Sequence, residues 1–86
     1  MINFNKNLLG LDGKEIADTN IGKIVGQTLV QSGKGDALKF WHWANKMYQG
    51  EELDLDPTDT EVLKNFIKEN ETMTILVKAQ ALECFK

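Results

Sequence analysis

Nine consecutive residues, Phe40 to Tyr48 (FWHWANKMY), hold both tryptophans, the single tyrosine, the single histidine and one of four phenylalanines. Glycine-containing breaks lie on either side, Ser32-Gly33-Lys34-Gly35-Asp36 before and Gln49-Gly50 after. The segment therefore reads as one short helix, started by Asp36 as N-cap and stopped by Gly50. Aromatic side chains carry the largest apolar area a residue can bury, so the packing of this helix sets the fold. At about 100° per residue, Ala37, Trp41, Ala44 and Tyr48 share a stripe flanked by Leu38 and Phe40, while Trp43 points away among Lys39, His42 and Lys46. That separation predicts a buried Trp41 and an exposed Trp43. A large ring on a basic face is either covered by another part of the chain or offered to a partner. Lys39, His42, Trp43 and Lys46 are the candidate partner-binding residues.

With 86 residues the chain fits one domain, residues 1–86, with one modest core and no deep walled cleft. Hydrophobic residues at 42% and charged residues at 27% suit a folded domain rather than a disordered one. No apolar run approaches the roughly 20 residues of a membrane span. The start MINFNKNLLG lacks a basic n-region and an apolar centre, so a cytoplasmic location is expected, without membrane contact. Cys84 is the only cysteine, which excludes an intrachain disulfide and a cysteine-rich metal site.

The remaining segments read in order. Ile2 and Phe4 alternate with asparagines, and Asp12-Gly13 separates Leu8, Leu9 and Leu11 from Lys14 to Ala17, a hairpin signal over residues 2–17. Thr19 or Asn20 caps a helix with Ile21, Ile24, Val25, Thr28 and Leu29 on one face. Gly22 and Gly26 each cost that helix about 1 kcal/mol relative to Ala, which close approach of a neighbour would justify. Acid and leucine alternate from Glu51 to Asp56, as in a short half-buried strand that pairs with the hairpin. Thr58 and Glu61 have capping-box spacing before a stripe of Val62, Leu63, Phe66 and Ile67. Thr72 caps a last helix from Met73 to Phe85, apolar on several sides, with a strand over Thr72 to Val77 as the alternative for its first half. The fold class is mainly α within α+β: about four helices in one small bundle with a short N-terminal β-hairpin.

The net charge of −3 is unevenly spread. Residues 1–50 carry six lysines against four acids, +2, and residues 51–86 four lysines against nine acids, −5. There is no arginine, the side chain best suited to phosphates and guanine edges. Tested as an EF-hand from Asp54, the acidic stretch places Asp59 where glycine is required and Asn65 where the bidentate glutamate belongs, so the motif fails. The Ser32 to Asp36 loop lacks Walker spacing and a preceding strand. His42 and Cys84 form no motif with each other or with a carboxylate, so no catalytic residue, metal ligand or cofactor is assigned. Two helices joined by a glycine turn, the second presenting Lys39, His42, Trp43 and Lys46, form the alternative: a helix-turn-helix-like nucleic-acid regulator. The acidic balance and the absence of arginine weigh against it.

The Leu-Asp-Gly-Lys turn at residues 11–14, the Gly-Asp-Ala-Leu-Lys-Phe-Trp helix start, the Tyr-Gln-Gly-Glu turn and the Lys-Ala-Gln-Ala-Leu-Glu ending span most of the chain. In these blocks it resembles small proteins of unknown function encoded by bacteriophages and prophages. The resemblance implies an origin and carries no functional residue. The expectation is a non-enzymatic protein-binding accessory for phage assembly or host modulation, with a protein partner or self-association through the Trp43 face or the C-terminal helix.

Overall fold

Each of the four helices begins at a side chain that accepts a hydrogen bond from the backbone amide three residues on. The computed structural model describes every residue from Met1 to Lys86. Strands β1 (Asn7–Leu9) and β2 (Glu15–Asn20) are followed by α1 (Ile21–Gln31), α2 (Ala37–Tyr48), α3 (Pro57–Glu69) and α4 (Ile75–Glu83). This is the four-helix bundle with an N-terminal hairpin that the sequence predicts.

Asn20 caps α1 through the Lys23 amide, and Asp36 caps α2 through the Lys39 amide, each at 3.1 Å. At α3 the expected Thr58 cap is wrong. Asp56 accepts from the Asp59 amide at 2.7 Å, and Pro57 occupies the first helical turn, where its missing N–H costs nothing. At α4 the cap is Thr74, which accepts from the Val77 amide, not Thr72. The Asn70 carboxamide oxygen accepts from the amides of Thr72 and Met73, both at 2.8 Å, and holds this stretch as a turn. The strand alternative for Thr72 to Val77 is thereby removed.

The antiparallel hairpin pairs Asn7 with Asn20 and Leu9 with Glu15, so β2 carries a bulge. Thr19 closes it: its Oγ1 accepts from the Leu8 amide at 3.0 Å and donates to the Ile16 carbonyl at 2.6 Å. Asp18 takes φ +60 within it. Ile2 lies outside the hairpin and bridges Leu53 through two backbone hydrogen bonds of 2.9 and 2.8 Å, the expected pairing of the acid-and-leucine segment. The outer edge of β1 is met by a side chain. The Gln80 amide of α4 donates to the Leu9 carbonyl at 2.7 Å and accepts from its N–H at 2.8 Å, as a neighbouring strand would.

Fifteen buried residues form one core cluster, with members from the N-terminal segment, β1, the Leu53 segment and every helix. Gly22 and Gly26 set the closeness of α1 and α2: a Cβ on Gly22 would lie 2.7 Å from the Met47 carbonyl oxygen, and one on Gly26 3.1 Å from that of Ala44. α3 contributes Leu63 and Ile67, while Val62 is exposed and Phe66 half-buried. α4 buries Val77 and Ala81 and leaves Ile75 to solvent, so its apolar residues are not all inward.

The expected orientation of α2 is inverted. Trp43 is 5% exposed, stacked on Phe40 at 5.5 Å, and Phe40 meets Phe66 of α3 edge-on at 5.4 Å. Phe40, Trp43, Ala44 and Met47 face the core, and Trp41 is 61% exposed. Two apolar stripes on this helix share Ala44, and contacts from α1 and α3 choose between them. The carbonyls of Ala44 and Met47 nest on Gly26 and Gly22, which turns Met47 and Trp43 inward.

Candidate functional site

Trp43 therefore leaves the proposed partner-binding set and joins the core. The other three members lie on the solvent side of α2 or at its margin. His42 is exposed, Lys46 is half-buried, and Lys39 donates to Asp59 of α3 at 2.9 Å. That hydrogen bond and the Asp59 charge raise the Lys39 pKa above its ordinary value. Lys39 ties α2 to α3 across the surface.

A different surface collects the exposed aromatic area. Leu38, Trp41, Asn45 and Tyr48 follow one another at spacings of three, four and three along α2, which places them on one seam. Trp41 and Tyr48, 50% exposed, stand against Val30, Gln27 and Gly26 of α1 and enclose a hollow of about 160 Å³. Val30 and Trp41 also wall a second hollow of about 220 Å³ that runs past Leu29 to Lys34 and Phe40. In the other direction Gln27 and Tyr48 wall a polar cleft of about 470 Å³ that contains Asn7, Asp18, Asn20 and Lys23. The three hollows adjoin along a shallow groove at the α1–α2 seam, apolar in the middle and polar at the hairpin end.

Local contacts fix its walls. The Lys23 Nζ lies 5.2 Å from the centre of the Tyr48 ring, a cation–π contact. Asn45 donates through Nδ2 to the Trp41 carbonyl at 2.8 Å, while its Oδ1 takes no donor from the chain. Trp41, Tyr48 and Val30 are already about half covered, so covering the rest is worth about half of the roughly 1.5–3 kcal/mol gained on burying a fully exposed side chain. The expected aromatic stripe was correct in its spacing and wrong in its direction: its exposed members Trp41 and Tyr48 are the surface feature.

Elsewhere two carboxylates and the thiol have structural employment. Asp56 caps α3 and Asp59 pairs with Lys39. Cys84 is half-buried with its Sγ 3.4 Å from the Gln80 carbonyl, and burial pushes its thiol pKa up, which disfavours the thiolate. No group of three His, Cys, Asp or Glu side chains is arranged to hold a metal ion. No helix is long and apolar enough to cross a membrane. No family model matches the chain, and comparison with curated proteins and with solved structures finds no match to either.

Proposed function

We propose that the chain is a non-enzymatic protein-binding accessory that engages its partner through the α1–α2 groove around Trp41. The observation that carries this reading is the exposure of Trp41 beside Tyr48 and Val30, at the wall between two adjoining hollows, in a protein that buries its other tryptophan. Tryptophan and tyrosine dominate the energetic centres of protein interfaces, because they bring large area at little conformational cost. The phage-like blocks of the sequence suggest the setting: assembly of a phage particle or modulation of a host protein in the cytoplasm of a bacterial cell. Self-association falls within the same reading.

The test compares wild type with Trp41→Ala in affinity purification from such cells, alongside sedimentation of the isolated protein. The expected result is one stoichiometric protein, or a dimer, that is lost with Trp41→Ala while the melting temperature stays unchanged. Retention of the same protein by Trp41→Ala would place the contact elsewhere. Recovery of nucleic acid alone, eluted by salt, would favour the regulator alternative.

A further inference from the structure

The polar cleft at the hairpin end of the seam has a carboxylate on one wall and an ammonium group on the other. Asn7, Asp18 and Asn20 form the hairpin side, and Lys23, Ile24 and Gln27 of α1 with Tyr48 of α2 form the facing side. Asp18 and Lys23 are the charged residues that line it. The chain's ion pairs are Lys39 with Asp59 and Lys64 with Glu61, so neither Asp18 nor Lys23 is neutralised by the other or elsewhere. The Lys23 ammonium rests over the Tyr48 ring. Asn20 is fully engaged, its Oδ1 by the Lys23 amide and its Nδ2 by Asn5, and Asn7 donates through Nδ2 to Glu15 at 3.3 Å. The Asp18 carboxylate, the Asn7 Oδ1, the Gln27 carboxamide and the Tyr48 hydroxyl have no hydrogen-bond partner in the chain.

The backbone sets Asp18 on this wall at a cost. Asn7 pairs with Asn20 and Leu9 with Glu15, so Leu8 alone lies opposite the four residues from Ile16 to Thr19. Within this enlarged bulge Asp18 takes φ +60, a region in which residues other than glycine are uncommon. The bulge is closed by the Thr19 hydroxyl, between the Leu8 amide and the Ile16 carbonyl, and the Asp18 side chain takes no part. Glycine would therefore serve the hairpin at position 18, and the carboxylate is surplus to its folding. A strained main chain that presents an unused polar group to a cleft is the usual setting of a ligand contact.

We propose that this cleft binds a small zwitterion of the α-amino-acid class. Its ammonium group meets the Asp18 carboxylate and the Asn7 Oδ1, and its carboxylate meets the Lys23 ammonium, the Gln27 carboxamide and the Tyr48 hydroxyl. A simple cation or anion would gain one wall and face a like charge on the other; a zwitterion satisfies both. Ile24 and the Tyr48 ring supply the apolar surface for its side chain. This site is separate from the partner reading at Trp41, and either stands or falls without the other.

Amide chemical shifts of the isotope-labelled protein test the proposal, since NMR titration reads the weak binding that an open cleft allows. The probes are L-leucine, leucinamide, which lacks the carboxylate, N-acetylleucine, which lacks the ammonium group, and glucose, a neutral polyol. The expected result is a saturable shift at Asp18, Lys23 and Gln27 with leucine, and binding at least about tenfold weaker for the other three, as loss of a charged hydrogen bond implies. Asp18→Asn keeps a side chain that tolerates positive φ, so it should leave the melting temperature unchanged and weaken leucine binding about tenfold. Leucinamide or N-acetylleucine binding as tightly as leucine overturns the zwitterion. Saturation by glucose alone overturns it in favour of a polyol, and leucine binding that survives Asp18→Asn removes Asp18 from the site and overturns the proposed geometry. No saturable shift with any probe overturns the site itself.

Discussion

Replacing Gly22 by alanine opposes two effects of known size. Alanine favours a helix interior by about 1 kcal/mol over glycine, and Gly22, the second residue of α1, gains at most that. The new methyl would lie 2.7 Å from the Met47 carbonyl oxygen of α2 and 3.3 Å from the Phe4 carbonyl oxygen, both main-chain atoms. An ordinary contact begins at 3.4 Å, so α2 must retreat by about 0.7 Å, the difference between 3.4 and 2.7. Overpacking costs about 1–3 kcal/mol, and two main-chain obstacles put this site at the upper end. Subtracting at most that helix gain leaves a net loss of about 2–3 kcal/mol, which lowers the melting temperature of a domain this size by at least about 8 °C. Gly26→Ala is the internal comparison: its methyl would meet the Ala44 carbonyl oxygen at 3.1 Å, a contact relieved by a few tenths of an ångström. There the terms nearly cancel, and stability changes by no more than about 0.5 kcal/mol. Chemical denaturation followed by far-ultraviolet circular dichroism measures both. A Gly22→Ala protein as stable as wild type, or a reversed order of the two variants, would refute the close-packed α1–α2 seam.

Gln80→Leu removes both hydrogen bonds to Leu9 and should cost about 1–2 kcal/mol in the same assay. Gln80→Glu keeps the acceptor for the Leu9 N–H but sets a carboxylate against the Leu9 carbonyl, which raises the carboxyl pKa in the folded state. Its stability deficit at neutral pH should therefore shrink as pH falls through that pKa, and a deficit independent of pH would count against the clamp. Asp56→Ala should cost about 1 kcal/mol, while Thr58→Ala stays within about 0.5 kcal/mol; equal losses would return the cap to Thr58.

What could be read in advance was local. Asp36 was legible as a cap, and Asn20 as one of two candidates with Thr19, because a short polar side chain before an apolar run satisfies the orphan amides within three residues of itself. At α3 the capping-box spacing pointed to Thr58 alone, whereas Asp56 is the cap, because Pro57 after it suits the first helical turn. The direction of α2 was not legible. Its seven-residue pattern supports either Trp41 or Trp43 as the inner ring, and the choice rests on Gly22, Gly26 and Phe66, residues of other elements. For the candidate site the spacing of Trp41 and Tyr48 was in the sequence. Their exposure was not, since it follows from which stripe α1 accepts.

Two contacts couple the ends of the chain: Gln80 with Leu9, 71 residues apart, and the Phe85 ring edge-on to Phe4 at 5.6 Å. They have a kinetic consequence. During synthesis β1 emerges early, but its outer edge stays open and Phe4 lacks its last neighbour until the C-terminal helix has left the ribosome. Such long-range closure comes late, after the loop entropy of most of the chain has been spent. The nascent hairpin is thus the part most open to wrong strand pairing, and the final turn of α4 is what ends that exposure. Truncation within the last seven residues would then show itself first as slower folding and as aggregation of the newly made chain, ahead of any change in the helices already formed.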